Sequence, residues 1–175
     1  MSFIARRPEP SEYSPRYAAY MELVPESDII AALCTQADET AAFLAGIPCE
    51  MHGHRYAEGK WTIREVVGHL SDTERIFGFR LLCFARCDRN RVWRADENLY
   101  AANGQFDRLP LAELAEELAA ARRSNIELLK HLPDAAWDRC GNVSDVPISV
   151  RAVAYLMLAH ERHHLEILRS RYLKP

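Results

Sequence analysis

The sequence predicts an all-α fold, a four-helix bundle preceded by an extended N-terminal arm over residues 1–26. Three observations predict it. Apolar residues recur at three- and four-residue steps in four separate segments, prolines and glycines punctuate the chain between them, and no stretch shows clean two-residue alternation. The 175 residues, 49% of them hydrophobic, suit one domain over residues 1–175 with a real core.

The arm holds Pro8, Pro10, Pro15 and Pro25 among Tyr13, Tyr17 and Tyr20, which predicts extended, aromatic-anchored backbone with at most a short helical turn from Arg16 to Met21. Ser27 is a candidate cap for the first main helix. Its Ile29, Ile30, Leu33, Ala37, Thr40, Ala41 and Leu44 form a stripe that stops at Gly46, before Pro48. A loop over residues 47–60 carries His52, His54 and Gly59.

The second helix has the strongest start signal. Thr62 with Glu65 three residues later makes a capping box, and Trp61 precedes it as a hydrophobic staple. Its apolar face runs from Ile63 through Val66, Val67, Leu70, Phe77 and Leu81 to about Arg86. Gly68 and Gly78 weaken this helix and suggest that a helix or ligand approaches closely there.

Residues 88–110 are polar and turn-rich, which predicts a functional loop or a short accessory helix. After Pro110, Leu111, Leu114, Leu118, Ala121, Ile126 and Leu129 define the third helix, which ends before Pro133. A connection with Gly141, Asn142 and Pro147 leads to Ser149, the cap of the fourth helix. There Val150, Val153, Met157, His160, His164 and Ile167 form the inward stripe.

A net charge of -3 and a pI near 6.2 argue against nucleic acid or an anionic membrane as partner, since those need a dense basic face. Arg86, Arg89, Arg91 and Arg94 with Trp93 read as a solvated helix end and loop. No apolar segment follows Arg6 and Arg7, so the start does not read as an export signal, and the run from Ala152 to Ala159 is far short of the roughly 20 residues that span a bilayer. Five cysteines without paired spacing suit a reducing compartment, with Cys83 and Cys87 expected as buried thiols. A soluble, cytoplasmic protein is expected.

The chemistry concentrates in Ala159-His160-Glu161-Arg162-His163-His164-Leu165. Residues four apart on a helix have Cβ atoms about 5–6 Å apart, so His160 and His164 reach one metal ion. Among the other histidines only His69, between Val66 and Thr73, stands on an apolar helical face, and it completes the candidate site. Three neutral imidazoles leave coordination positions for water or a small-molecule substrate, the pattern of a reactive site. Zinc, nickel, iron(II) or manganese all accept such donors. His163, about 100° around the helix from His164, points toward the bundle edge.

His160-Glu161-x-x-His164 also matches H-E-x-x-H, in which the glutamate is a general base. Ile167 and Ser170 stand where the extended protease pattern has Gly and His, which argues against a protease. Glu161 remains a candidate acid/base, against its ordinary reading as an exposed helix-edge residue. Asp72 is a candidate to orient the His69 ring, or else pairs with Arg75.

The segments Gly59-Lys60-Trp61-Thr62-Ile63-Arg64-Glu65, Gly68-His69-Leu70-Ser71-Asp72-Thr73-Glu74-Arg75 and Ala159-His160-Glu161-Arg162-His163-His164 together resemble the DinB-like superfamily, in particular its YfiT-like branch of metal-dependent hydrolases. The resemblance extends to Tyr13-Ser14-Pro15-Arg16-Tyr17 and Arg169-Ser170-Arg171-Tyr172-Leu173. It implies an up-down-down-up bundle, often a homodimer, in which positions matching His69, His160 and His164 bind zinc or nickel. It also implies transfer chemistry with low-molecular-weight thiols. A third reading, a non-catalytic dimeric bundle that binds metal or a partner in a stress response, rests on the aromatic N-terminal arm and the alanine-rich helices. Ala159 stands where this branch is expected to have glycine.

Overall fold

In the computed structural model, which describes residues 6–88 and 92–174, the arm is anchored rather than loose. Short 3-10 turns at Pro10–Glu12 and Pro15–Tyr17 lead into α1 (Ala18–Glu22), and the Arg6 guanidinium donates to Glu12 and to Asp138. Residues 1–5 and the Arg89 and Arg91 of the basic run lie outside the described residues.

The helix α2 (Ile29–Ala45) starts at Asp28, whose carboxylate accepts from the Ala31 amide at 3.0 Å. The expected cap, Ser27, gives its carbonyl to the Tyr155 hydroxyl instead. A carboxylate one residue further on serves the first-turn amide. The capping box of α3 (Ile63–Ala85) is present: Thr62 Oγ1 accepts from the Glu65 amide, and Glu65 accepts from the Thr62 amide. The 88–110 connection holds the accessory helix α4 (Glu97–Gly104), followed by α5 (Leu111–Lys130), β1 (Cys140–Val143), β2 (Val146–Ser149) and α6 (Val150–Ile167), with Ser149 capping the last. A π-helical turn at Leu168–Tyr172 follows.

The hairpin of β1 and β2 is a departure from the all-helical expectation, pairing Cys140 with Ser149 and Val143 with Val146. Its strands are four residues long and include Gly141 and Pro147, which erases any alternation signal. Ser144 and Asp145 both have positive φ, +48° and +68°, the geometry of a tight hairpin turn that aspartate tolerates.

Helix directions follow from the contacts. Arg75 meets Glu117 and, further along both helices, Gly78 meets Asn125, so α3 and α5 run parallel. The Trp61 carbonyl just before α3 is bonded to Tyr172 after α6, and Phe84 near the end of α3 touches Gly141, which pairs with Ile148 just before α6, so α3 and α6 are antiparallel. Tyr155 meets Ser27 while Arg162 meets Gln36, making α6 parallel to α2. The topology is up-down-down-up, with α5 between α2 and α3 on one side and α6 between them on the other. Parallel neighbours need a connection that returns the length of the bundle. The long 86–110 segment provides it, and near its end the Phe106 ring sits against Gly68 in the first turns of α3, a space that a Cβ would fill.

Two apolar clusters form the core. One gathers Leu33, Phe77, Phe84, Ile126, Trp137 and Tyr155, and the other Leu44, Val66, Phe106, Leu114, Leu165 and Tyr172. Each long helix crosses between them through polar residues: Gln36 and Thr40, His69 and Glu74, Arg122 and Asn125, then His160, Glu161 and His164. The cysteines differ from expectation. Cys83 is buried, but Cys87 lies past the end of α3 with φ +58° and is exposed, as are Cys49 and Cys140. No helix among the described residues is long and apolar enough to cross a membrane.

Candidate metal centre

The antiparallel crossing of α3 and α6 brings His69 beside the His160 and His164 pair. His160 Nε2 lies 3.3 Å from His69 Nε2 and 3.2 Å from His164 Nε2, and one nitrogen from each ring falls within 4.8 Å of the others. The ring planes are inclined to one another by 59°, 66° and 61°, so the three rings surround a point instead of stacking. On the far side of the His69 ring, Nδ1 is 3.5 Å from Thr73 Oγ1.

Burial governs the charge of this cluster. It pushes the His69 pKa down to about 4 and that of His164 down to about 3, with neighbouring imidazoles adding to the effect on His164. His160 is held well below the ordinary 6.5 by burial and then by His164 and His69. All three rings are therefore neutral near pH 7, with lone pairs available, the state a metal ligand requires.

The rings face a cavity of about 440 Å³, lined also by Trp61, Tyr17, Tyr20, Phe77 and three arginines. Trp61 packs on His69 with centroids 4.8 Å apart and is tied to the C-terminal turn by Tyr172 Oη, which donates to its carbonyl at 2.7 Å. Tyr20, from α1, lies parallel to the His160 ring at 6.4 Å. The arm thus supplies one wall of the cavity, and Arg162 fastens the arm to α6 by donating to Glu26 and to the Leu23 carbonyl.

His163 stands at the cavity wall, its ring 5.3 Å from His164 and 5.2 Å from Tyr20. Asp72 also lines the cavity, but its carboxylate is turned to Arg75 at 3.9 Å, and it is Thr73 that lies against His69. Glu161 is buried at 3% exposure, not exposed on a helix edge, because α6 is enclosed on every side along most of its length. Its carboxylate accepts hydrogen bonds from Thr40 and Arg122.

Arg122 was hidden in the sequence, where Ala121 fitted the apolar stripe better. Its signal is a position four residues from both Leu118 and Ile126, on the inward face. Thr73, Tyr20 and Arg80 are likewise legible only once α1, α3 and α6 are placed together.

The sequence model of the DinB superfamily matches residues 32–168. None of the curated proteins matches the chain. Among solved structures, YfiT from Bacillus subtilis, described as a probable metal-dependent hydrolase with an unusual four-helix bundle topology, aligns with a TM-score of 0.62 at 19% identity, covering 93% of this chain and 91% of that one. The DinB-like protein YjoA from Bacillus subtilis aligns with a TM-score of 0.56 at 17% identity, covering 81% of this chain and 86% of that one. At these identities the likeness is one of fold.

Proposed function

The chain belongs to the DinB superfamily, and from that premise we propose that it is a metal-dependent hydrolase acting on a small molecule, with His69, His160 and His164 holding a divalent ion, zinc or nickel. The observation that carries this reading is the convergence of three neutral imidazoles on the wall of a cavity of about 440 Å³. The donor set fits such an ion: the three nitrogens already cluster, and burial keeps them unprotonated. Three protein donors beside an open cavity is the pattern of a reactive site rather than a closed structural one.

When bound, a divalent ion supplies Lewis acidity, polarising a substrate carbonyl or phosphoryl oxygen and acidifying water. The chain's own residues do the rest. Thr73 and Trp61 fix the His69 ring. Trp61, Tyr17, Tyr20 and Phe77 exclude bulk water and present aromatic faces to a substrate. We assign proton transfer to His163, whose ring lines the cavity, rather than to Glu161, whose carboxylate is engaged by Arg122 and Thr40. Asp72 stands on the cavity wall, with Arg75 as its ion-pair partner.

The reading includes a homodimer, for which Phe79 and Leu82, 58% and 45% exposed on α3, offer an apolar face. It also includes a cytoplasmic setting, consistent with five free thiols.

Among the described residues no cysteine lines the cavity, so the thiol-transfer alternative requires an added low-molecular-weight thiol. A panel of carboxylic and phosphoric esters, assayed with metal-loaded and chelator-treated protein with and without such a thiol, separates the cases. Thiol-independent turnover lost on chelation supports the hydrolase. Turnover only with thiol supports the transferase, and no turnover by a metal-loaded protein supports the non-catalytic bundle.

A further inference from the structure

The same cavity has a second chemical end. His69, Thr73, Phe77 and Arg80 follow one another along α3 at steps of four, four and three, and all four line it. A helical side chain leans toward the helix N-terminus. Arg80 accordingly reaches back along α3, with its Cζ 5.7 Å from the centroid of the Phe77 ring. That ring is in turn 5.9 Å from the His160 ring, so a single aromatic ring separates guanidinium from imidazole.

Arg80 is poorly satisfied for a half-buried cation. One Nη donates to the Trp93 carbonyl at 3.3 Å, and Nε is buried with no hydrogen-bond partner among the described residues. Two more guanidiniums line the cavity beside it. Arg16 lies over the Tyr17 ring at 4.8 Å. Arg94 is pinned through its amide to Ser144 Oγ at 3.2 Å, while the Ser144 amide bonds the Val92 carbonyl at 3.1 Å.

Burial, with the like charges of Arg16 and Arg94 adding to it against Tyr17, holds Arg80 below the ordinary guanidinium value. Two carboxylates line the cavity, Asp72, which faces Arg75, and Glu97 on the first turn of α4. Neither lies within ion-pair distance of these three arginines. Only Arg80 of the three is half-buried, Arg16 and Arg94 being exposed, yet three like charges around one cavity mouth repel one another until an anion joins them, and guanidiniums bind carboxylate and phosphate oxygens through paired hydrogen bonds.

We propose that Arg80, with Arg16 and Arg94, forms an anion subsite that holds a carboxylate or phosphate group of the substrate while its other end reaches His69, His160 and His164. This rests on the three histidines being the reacting end of the cavity. The volume lies in the range of small-molecule sites, about 300–1,000 Å³, and the Tyr17, Tyr20 and Phe77 rings between the two ends suit a substrate with an apolar body.

Calorimetric titration with phenylacetate, phenyl phosphate and neutral phenylacetamide tests it, on the wild type, Arg80→Gln, Arg80→Lys and His160→Ala. At least one anion is expected to bind about tenfold or more tightly than the amide, Arg80→Gln to lose that preference and Arg80→Lys to keep most of it. The preference should survive His160→Ala, because the arginines carry it. Tighter binding of phenylacetate assigns a carboxylate group, and tighter binding of phenyl phosphate assigns a phosphate.

Equal affinity for anion and amide, binding of neither anion, or a preference unchanged in Arg80→Gln overturns the subsite. So does a preference abolished by His160→Ala, which would put the anion on the metal. Failure of the metal reading is seen separately, as metal content unaltered by His160→Ala, and leaves the anion preference measurable.

Discussion

Arg122 meets Glu74 through two parallel hydrogen bonds, Nε to Oε1 at 2.8 Å and Nη2 to Oε2 at 2.9 Å, at the centre of the bundle. The same guanidinium engages Glu161, the residue after His160, so this charge layer is built into the helix that carries two of the three histidines. Burial opposes the Arg122 charge, but Glu74 and Glu161 hold its pKa above the ordinary 12.5. Removing the cation leaves two buried carboxylates facing each other. Arg122→Leu is expected to lose about 3–5 kcal/mol of stability, measured by urea unfolding.

Gly78 marks a close approach of α5 to α3, where a Cβ would overlap the Asn125 side chain. That amide is committed, donating to the Glu74 carbonyl at 3.0 Å and to Oε1 at 2.9 Å. Alanine raises helix propensity by up to about 1 kcal/mol, whereas overpacking costs about 1–3 kcal/mol and here also displaces a bonded amide. Gly78→Ala should therefore lower the thermal midpoint, and a raised midpoint would contradict the close approach.

The local signals in the sequence carried the helices well. The Thr62 and Glu65 capping box, the Ser149 cap and the stop at Gly46 each depend on residues within one turn, and each is realised. The histidine triad was legible because a four-residue spacing and an inward face are both readable from one helix, with His69 then identified by elimination. Arg122 and Arg80 were not legible. A charged residue on a helix that otherwise buries its face is explained only by its partners on other helices, and these are brought near by the parallel pairing of α3 with α5 and by the folded-back arm. The hairpin escaped because Gly141 and Pro147 interrupt four-residue strands.

Glu26 links acid stability to the arm. Arg162 donates to both of its oxygens, at 2.9 and 2.7 Å, and holds its carboxyl below the ordinary 4.5. A carboxyl with a depressed folded pKa contributes stability above its unfolded value, and that contribution disappears as pH falls through the folded value. Both partners are partly exposed, so the contribution is screened to about 0.2–1 kcal/mol. The stability difference between wild type and Glu26→Gln should stay constant from neutral pH down to about 5 and shrink below that. A difference that grows on acidification would reverse the sign of the pair.

If His163 carries the proton, His163→Asn should retain its metal and lose roughly 10²–10⁴-fold in turnover of whichever ester the protein cleaves. Steady-state kinetics beside elemental analysis of the same sample checks both parts. Full activity in His163→Asn would return proton transfer to another group on the cavity wall.

Elemental analysis of protein equilibrated with limiting zinc or nickel shows whether His69, His160 and His164 together hold one divalent ion. Wild type and the loop variant His52→Ala should carry about one ion per chain, and His69→Ala and His160→Ala should bind at least about tenfold more weakly. Equal metal content in wild type and His160→Ala would contradict the site.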